Sequence, residues 1–452
     1  MFLTSATAAL LAAATLGSSP AQAAGCSDCN VLWLVIDTTR ADYMGMYGNK
    51  DGNTPRLDQL AAQGTVYEQA WTQGPDTMIS VSSYFTGRRN RNTDMDFTIF
   101  NRGSDFHPMS EENTTVAEVL AANGFKTVGM TANMVIAGGV KFDLNVQQGF
   151  QTWKKGTDRE VADFGIQQLG ALKDDRFFLY LHMMGPHHPN SRVPGFESRR
   201  GTFSAGLPDA ENHVYGDHNK GKTLITPEQG EYLRALYADA LWEADAHMGR
   251  VLDKLRATGL DKKTLVIVTS DHGESLGDTH NGKQIWGHGH ALKEPLLHVP
   301  LIMAGPGVGK GAREKTQMVE LVDLAPTITS HLGIAEDPAW KWEGDPIFGA
   351  GSEKGDTSIS DRGIPGQSNA GIRTLTHSVM WWEKANRWFY MDLTAGPTAE
   401  ETHIQPSAEH KRLQGILQQY MDTADPPKRQ GDIAAPDGDT LEALRQLGYV
   451  DE

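Results

Sequence analysis

The stretch NVLWLVID, residues 30–37, holds an unbroken apolar run from Val31 to Ile36 and ends in an acid. A strand half exposed to water alternates apolar and polar residues; a strand covered on both faces does not. The run therefore predicts a strand inside a parallel sheet, with Asp37 at its C-terminal end. RFFLYLHMM (176–184) and KTLVIVTSD (263–271) repeat the form. Between them lie helical patterns. In 226–259, Leu233, Leu236, Tyr237, Ala240, Leu241, Ala244, Met248, Leu252 and Leu255 keep helical spacing. Thr226 and Gln229 make a capping box, Pro227 suits the first turn and Gly259 can end the helix. TTVAEVLAANGFKTVGM (114–130) repeats the pattern, with Thr115 and Glu118 as the box. Strands alternating with helices predict an α/β layered fold whose site lies in the loops at the strand C-termini.

After about residue 335 the texture changes. Residues 361–393 carry turn formers and aromatic, β-rich runs without long helices between them, which predicts a small antiparallel sheet with a closing helix near 407–422. A Pro/Gly/Asp-rich stretch, 423–439, precedes a final helical pattern, TLEALRQLGYV (440–450). The expected division is a leader at 1–23, a main α/β domain at 24–335 and a C-terminal subdomain at 336–452.

Lys and Arg total 41 against 57 Asp and Glu, a formal net charge of -16. That argues against a nucleic-acid partner, whose phosphates demand clustered Lys and Arg. An anionic substrate would have to be held by a few local cations and a metal. Residues 1–23 contain an Ala/Leu-rich stretch from Ala8 to Leu16 and an Ala-Gln-Ala site, which read as a secretory signal peptide. No Lys or Arg precedes that stretch. No later run reaches transmembrane length, so the expected mature chain is periplasmic or secreted. The two cysteines, Cys26 and Cys29, follow in CSDCN. A disulfide is one reading; lipidation of Cys26 in Ala-Ala-Gly-Cys and a redox-active Cys-x-x-Cys are the others.

Chemistry collects where the strands end. Asp37 and Asp271 close two buried strands, and Asp271 is followed by His272, so that oxygen and nitrogen ligands could meet on one cation. GPHHPN (185–190) offers His187 and His188, and IWGHGHALKEP (285–295) offers His288 and His290. Glycine- or proline-bounded histidines at one sheet edge suit ligands or anion contacts. His247, inside the long helical pattern, reads as an ordinary helix histidine. GPDTMISVSSYFTGR (74–88) carries five Ser/Thr hydroxyls.

The ordered set of Asp37-Thr-Thr-Arg40, DTMISVSSYFTGR, GPHHP, TSDHGE, GHGHALKEPLLHVPLI and VDLAPTITSHLGI resembles the sulfatase branch of the alkaline phosphatase superfamily over nearly the whole mature chain. The resemblance implies a mixed, mainly parallel sheet sandwiched by helices, with a smaller C-terminal antiparallel-sheet subdomain. It implies one divalent cation, Ca2+ as in sulfatases or else Mn2+ or Zn2+, on Asp37, Asp271 and His272. Thr77 would be the nucleophile bound to the same ion. Arg40 fits the family's Asp-Asp-x-Arg pattern, although Thr38 stands at the second Asp. His187 matches the histidine of Asp-Pro-His-x-Pro, which touches substrate oxygens or the leaving group, although Gly185 replaces that Asp. His288 lies where a basic substrate contact is placed, with His290 as its rival.

Formylglycine sulfatases carry Cys or Ser in Cys/Ser-x-Pro-x-Arg, whereas this chain has Thr77, Ile79 and Val81. Oxidation of Thr would give a ketone, so no formylglycine is expected. A Thr alkoxide remains a competent nucleophile beside a cation. The superfamily's phosphatases often add a second metal, for which Asp209 and His213, at i and i+4, with His288 or His290 are candidates. The expected function is an exported, metal-dependent hydrolase of sulfate or phosphate esters of a small molecule, glycan or lipid head group. A degenerate anion-binding protein and a phosphotransferase acting on an envelope head group are the alternatives.

Overall fold

The computed structural model describes residues 25–93, 95, 108–138, 144–188, 214–280, 282–349, 355–362, 369–394 and 404–427. The leader and the terminal helical pattern lie outside them. The principal strands are β1 Asn30–Ile36, β2 Thr65–Tyr67, β3 Ala70–Trp71, β4 Lys126–Thr131, β5 Thr152–Lys155, β6 Phe177–Met183, β7 Thr264–Thr269, β8 Ser275–His280, β9 Lys283–Gly287, β10 Leu301–Ala304, β11 Ala312–Glu314 and β12 Val319–Glu320. Four more follow: β13 Ser358–Asp361, β14 Asn369–Arg373, β15 His377–Trp382 and β16 Arg387–Asp392. The helices used below are α1 Pro55–Ala61, α2 Thr77–Thr86, α3 Val116–Ala122, α4 Asp158–Ala171, α5 Pro227–Ala257, α6 Leu324–His331 and α7 Ala408–Thr423.

Eight strands form one sheet in the order β11-β2-β10-β7-β1-β6-β4-β5. β1 lies at its centre, parallel to β6 on one side and to β7 on the other. β10 runs antiparallel to β7 and β2, which makes the sheet mixed, while β4 and β5 extend the parallel part. All seven residues of β1 are buried, and its pleat divides them. Val31, Trp33 and Val35 enter a core with Met78, Ile79, Tyr84 and Phe85 of α2, Val116 and Leu120 of α3, and Ile328 of α6. Leu32, Leu34 and Ile36 enter another with Leu57 of α1, Val161 of α4, and Leu241, Met248 and Val251 of α5. An apolar run with no polar face is what a strand between two helical layers requires.

Both capping boxes form, Thr115 with Glu118 on α3 and Thr226 with Gln229 on α5. Beyond α5, Gly259 adopts φ +72°, a left-handed conformation that suits glycine. The start of α1 is capped from a distance: both carboxylate oxygens of Asp245, on α5, accept the backbone N–H groups of Arg56 and Leu57. Burial pushes the Asp245 carboxyl up to about 7, against those two hydrogen bonds. Because the folded value is the raised one, ionising this buried carboxyl costs stability: the contribution of its protonated form is complete below about pH 4 and is lost as pH rises through 7, although the two N–H bonds favour the ionised form. Asp245→Asn removes the titration. Between pH 4 and 8 its unfolding free energy, read from urea melts, should therefore gain on that of the wild type by up to about 4 kcal/mol.

The four strands β13–β16 form a separate antiparallel meander in sequence order. Leu413, Leu417 and Tyr420 of α7 cover one face, packing on Ile359, Ala370, Ile372 and Val379. β13 fastens this sheet to the chain just before α2. The Asp361 N–H donates to the Gln73 carbonyl at 2.7 Å, and the Ser360 hydroxyl donates to the Thr72 carbonyl at 2.7 Å.

Candidate active site

β1, β6 and β7 deliver their C-terminal ends to one edge of the sheet, where polar residues replace the apolar runs. Asp37 follows β1 and Asp271 follows β7, both fully buried. Between Asp37 and Arg40 the backbone turns sharply, with Thr38 at φ +49°. A β-branched residue pays a steric cost in that conformation. The turn is held by the Thr38 N–H on Asp271 Oδ1 at 3.3 Å, by the Tyr237 hydroxyl donating to the Thr38 carbonyl at 2.7 Å, and by the Thr39 N–H on Ser270 Oγ at 2.8 Å.

Asp76 is the N-cap of α2 and accepts the Ile79 N–H at 3.1 Å. Thr77 thereby becomes the first helical residue. The other hydroxyls are mostly spent within the helix and its approach: Ser82 donates to Met78, Thr86 to Ser82, and Ser80 to Gly74. Such bonds back to the preceding turn are the ordinary use of mid-helix Ser and Thr. Thr77 Oγ1 instead lies 3.3 Å from His272 Nε2 and accepts from Asn133 Nδ2 at 3.2 Å.

The carboxylates are wired asymmetrically. Asp37 Oδ2 takes Asn133 Nδ2 at 2.6 Å and His182 Nε2 at 3.0 Å, while Oδ1 has no hydrogen-bond partner. Asp271 Oδ1 takes the His272 and Thr38 N–H groups, while Oδ2 has none. His272 Nε2 sits 3.7 Å from the first orphan oxygen and 3.6 Å from the second. Its Nδ1–H donates to the Gly273 carbonyl at 2.8 Å, so Nε2 keeps its lone pair. Burial holds that ring well below its usual range, hence neutral. Burial and then the neighbouring Asp37 push Asp271 up to about 7. Two buried orphan carboxylate oxygens, one imidazole lone pair and a hydroxyl, too far apart to hydrogen-bond well but converging, fit one divalent cation.

Behind Asp37 the wiring continues. His182 Nε2–H donates to Asp37, so Nδ1 accepts the Tyr180 hydroxyl at 2.9 Å, and Tyr180 meets the Tyr84 hydroxyl at 2.5 Å. All four residues are fully buried. The chain joins the Asp37 carboxylate to α2, the helix that carries Thr77, and fixes which Asp37 oxygen faces the gap.

Three imidazoles line the same gap. His288 lies between His272 and His187, tilted to the first and edge-on to the second, with ring centroids 4.6 and 4.9 Å apart. His288 Nδ1 pairs with Glu274 Oε1 at 3.0 Å. Burial pushes the Glu274 carboxyl up to about 8. His290 turns away, with Nε2 on Ser275 Oγ at 3.3 Å and its ring against His280. Arg40 is engaged by Asp42 and Asp278 at 2.7–2.9 Å and by the Glu274 carbonyl. Against burial, which lowers it, these carboxylates hold the guanidinium above its ordinary value. Asp209 and His213 lie outside the described residues.

Asn133, His182 and Glu274 escaped the sequence reading as functional residues. His182 left a trace, one polar residue inside the apolar FFLYLHM of β6, and Glu274 stands in the quoted TSDHGE. Asn133 left none beyond its place after a strand.

The family model described as Sulfatase matches residues 29–334. An arylsulfatase of Clostridium perfringens is 24% identical over 457 residues, covering 87% of this chain and 93% of that protein. Arylsulfatase K of Bos taurus is 26% identical over 68% of this chain and 63% of its own length. Among solved structures, the phosphonate monoester hydrolase of Silicibacter pomeroyi superposes with a TM-score of 0.68 at 20% identity, over 88% of this chain and 96% of that one. A 2-O GAG sulfatase superposes with a TM-score of 0.68 at 17% identity, over 87% and 91%. The match runs from the start of β1 past α6 and so contains every strand that feeds the site: this chain belongs to the sulfatase family.

Proposed function

We propose that the protein hydrolyses oxyanion esters with Thr77 as nucleophile and a divalent cation held by Asp37, Asp271 and His272. One observation carries this reading. The Thr77 hydroxyl shares a fully buried gap with two orphan carboxylate oxygens and an imidazole lone pair. The cation would supply Lewis acidity, lowering the hydroxyl pKa and offsetting charge on the transferred group.

The residues do the rest. Asn133, which donates to both Thr77 and Asp37, orients the nucleophile. Thr77 Oγ1 attacks the central sulfur or phosphorus atom, its proton leaves to solvent, and the bond to the leaving alcohol breaks. His187 and His288 flank the gap, and in this reading their ring N–H groups hold the nonbridging oxygens, while the protonated Glu274 carboxyl gives its proton to His288 Nδ1 as His288 Nε2 gives one to the leaving oxygen. Glu274 orients His288 through Nδ1. Water then attacks the central atom, restoring Thr77 and releasing the oxyacid with whatever substituent its central atom keeps. Arg40 serves in this scheme as a positioning residue that ties the turn after Asp37 to β8 through Asp278.

Threonine makes the choice of central atom testable. With no aldehyde to re-form, release depends on water attacking the esterified Thr77 at the central atom, a step that phosphoryl and phosphonyl groups support by in-line displacement. A panel of aryl sulfate, phosphate monoester, phosphate diester and phosphonate, run with metal analysis, should show turnover of the phosphorus esters first. A small-molecule, glycan or lipid head-group ester and an exported location complete the proposal. No helix among the described residues is long and apolar enough to cross a membrane.

A second reading rests on Val81 and Thr38, which replace an Arg and an Asp of the family pattern. It makes the protein an anion binder without chemistry. Tight binding of inorganic phosphate or sulfate, with no turnover across the panel, would favour it.

A further inference from the structure

A second group of soft donors lies at the far end of β1 from Asp37. Cys26 and Cys29, joined to each other, immediately precede the strand. Their sulfurs and a ring nitrogen of His331 all lie within 4.8 Å of one another. His331 closes α6, is 2% exposed, and neither of its ring nitrogens has a hydrogen-bond partner. A buried imidazole left unpaired on both sides forfeits its hydration without return. Burial lowers its pKa, which leaves the neutral, ligating form.

Backbone hydrogen bonds hold the three donors together in addition to the disulfide. The Cys26 N–H donates to the His331 carbonyl at 2.7 Å, the Cys29 N–H to the Cys26 carbonyl at 3.1 Å, and Arg176 Nη2 to the Ser27 carbonyl at 2.8 Å. A Cβ on Gly25 would stand 3.0 Å from the His331 carbonyl oxygen, so the segment is seated closely on the end of α6. Two thiolates in Cys-x-x-Cys spacing and one imidazole are a ligand set for a thiophilic d10 cation, with water in the fourth position.

We propose that, once reduced, Cys26 and Cys29 join His331 in binding Zn2+, so that a disulfide and a metal ion serve as alternative staples at the start of the central strand. The step balances. A dithiol gives two electrons and two protons to the Cys26–Cys29 bond and becomes a disulfide itself. Zn2+ then displaces both thiol protons, leaving two thiolates and a neutral imidazole around the ion. None of these residues belongs to the site near Thr77, so the proposal stands apart from the function proposed there.

The test uses the full chain, stripped by chelator, in dithiol-reduced and oxidised forms, each freed of dithiol and chelator without air and then titrated with Co2+. Thiolate-to-cobalt charge-transfer absorption reports sulfur ligation, which the oxygen- and nitrogen-donor site cannot produce. Reduced wild type should develop the band within two equivalents of cobalt, one for each proposed site, and lose it when Zn2+ is added. Oxidised wild type and Cys26→Ser should lack it at that equivalence, His331→Ala should develop it only with excess cobalt, and Asp271→Asn should keep it in full. Circular dichroism checks that each variant is folded. No band in reduced wild type, or His331→Ala titrating like wild type, overturns the proposal.

Discussion

Thr77→Ala should give a folded protein whose kcat on the best ester of the panel has fallen by about 10,000-fold or more, the scale on which removing a covalent nucleophile acts. The site would otherwise survive. In the proposed site Thr77 would supply one of four donors, and the two carboxylates and His272 would keep their own hydrogen bonds when it is removed. Cation content should therefore drop only partly, which separates loss of the nucleophile from loss of the metal. Thr77→Ser retains a hydroxyl at the first position of α2 and should retain turnover. Rapid quenching of wild type with a phosphorus ester should leave the label on residue 77. Full activity in the alanine variant would sink the nucleophile assignment.

Cation removal is the second large effect. Chelation should abolish turnover, and a divalent cation should restore it. In Asp271→Asn the retained oxygen can still accept the His272 and Thr38 N–H groups, but an amide NH2 replaces the orphan Oδ2 and points donors at the cation. Affinity, read by competition with a chromophoric chelator, should fall by more than the roughly 10–100-fold expected for an outer-shell partner. His182→Gln provides that comparison. It breaks the chain from Tyr84 to Asp37 and frees the carboxylate to rotate, so its loss should stay within roughly 10–100-fold. An Asp271→Asn protein that binds cations as tightly as wild type would remove Asp271 from the ligand set.

The two departures at Thr38 and Thr77 read differently once placed. Thr38 occupies a strained turn and its buried hydroxyl lacks a hydrogen-bond partner, so the position faces inward beside the Asp271 carboxylate. Strain held at such a turn is common where a site is built. Thr77, by contrast, sits in ordinary helical geometry after a good N-cap. Its neighbours make it unusual, not its backbone.

What the sequence by itself determined was local and repetitive. VLWLVI, residues 31–36, is apolar on both faces, so burial between two helical layers followed from its composition. Thr115, Glu118, Thr226 and Gln229 wrote the ends of two helices through contacts three residues apart. The acids ending β1 and β7 were legible for the same reason, as polar residues where an apolar run stops. The meeting of those ends was another matter. Asn133 follows β4, His182 lies within β6 and Asp37 follows β1; only the order β7-β1-β6-β4 brings them to one carboxylate. Likewise, the choice between His288 and His290 rests on which ring faces His272 and which turns to Ser275, two residues apart in a loop. Cys26 and His331 are 305 positions apart in the chain, and their contact exists because α6 ends where β1 begins. Local pattern reports whether a residue is buried, whereas hydrogen-bond partners are set by strand order and loop closure, which no short window of sequence contains.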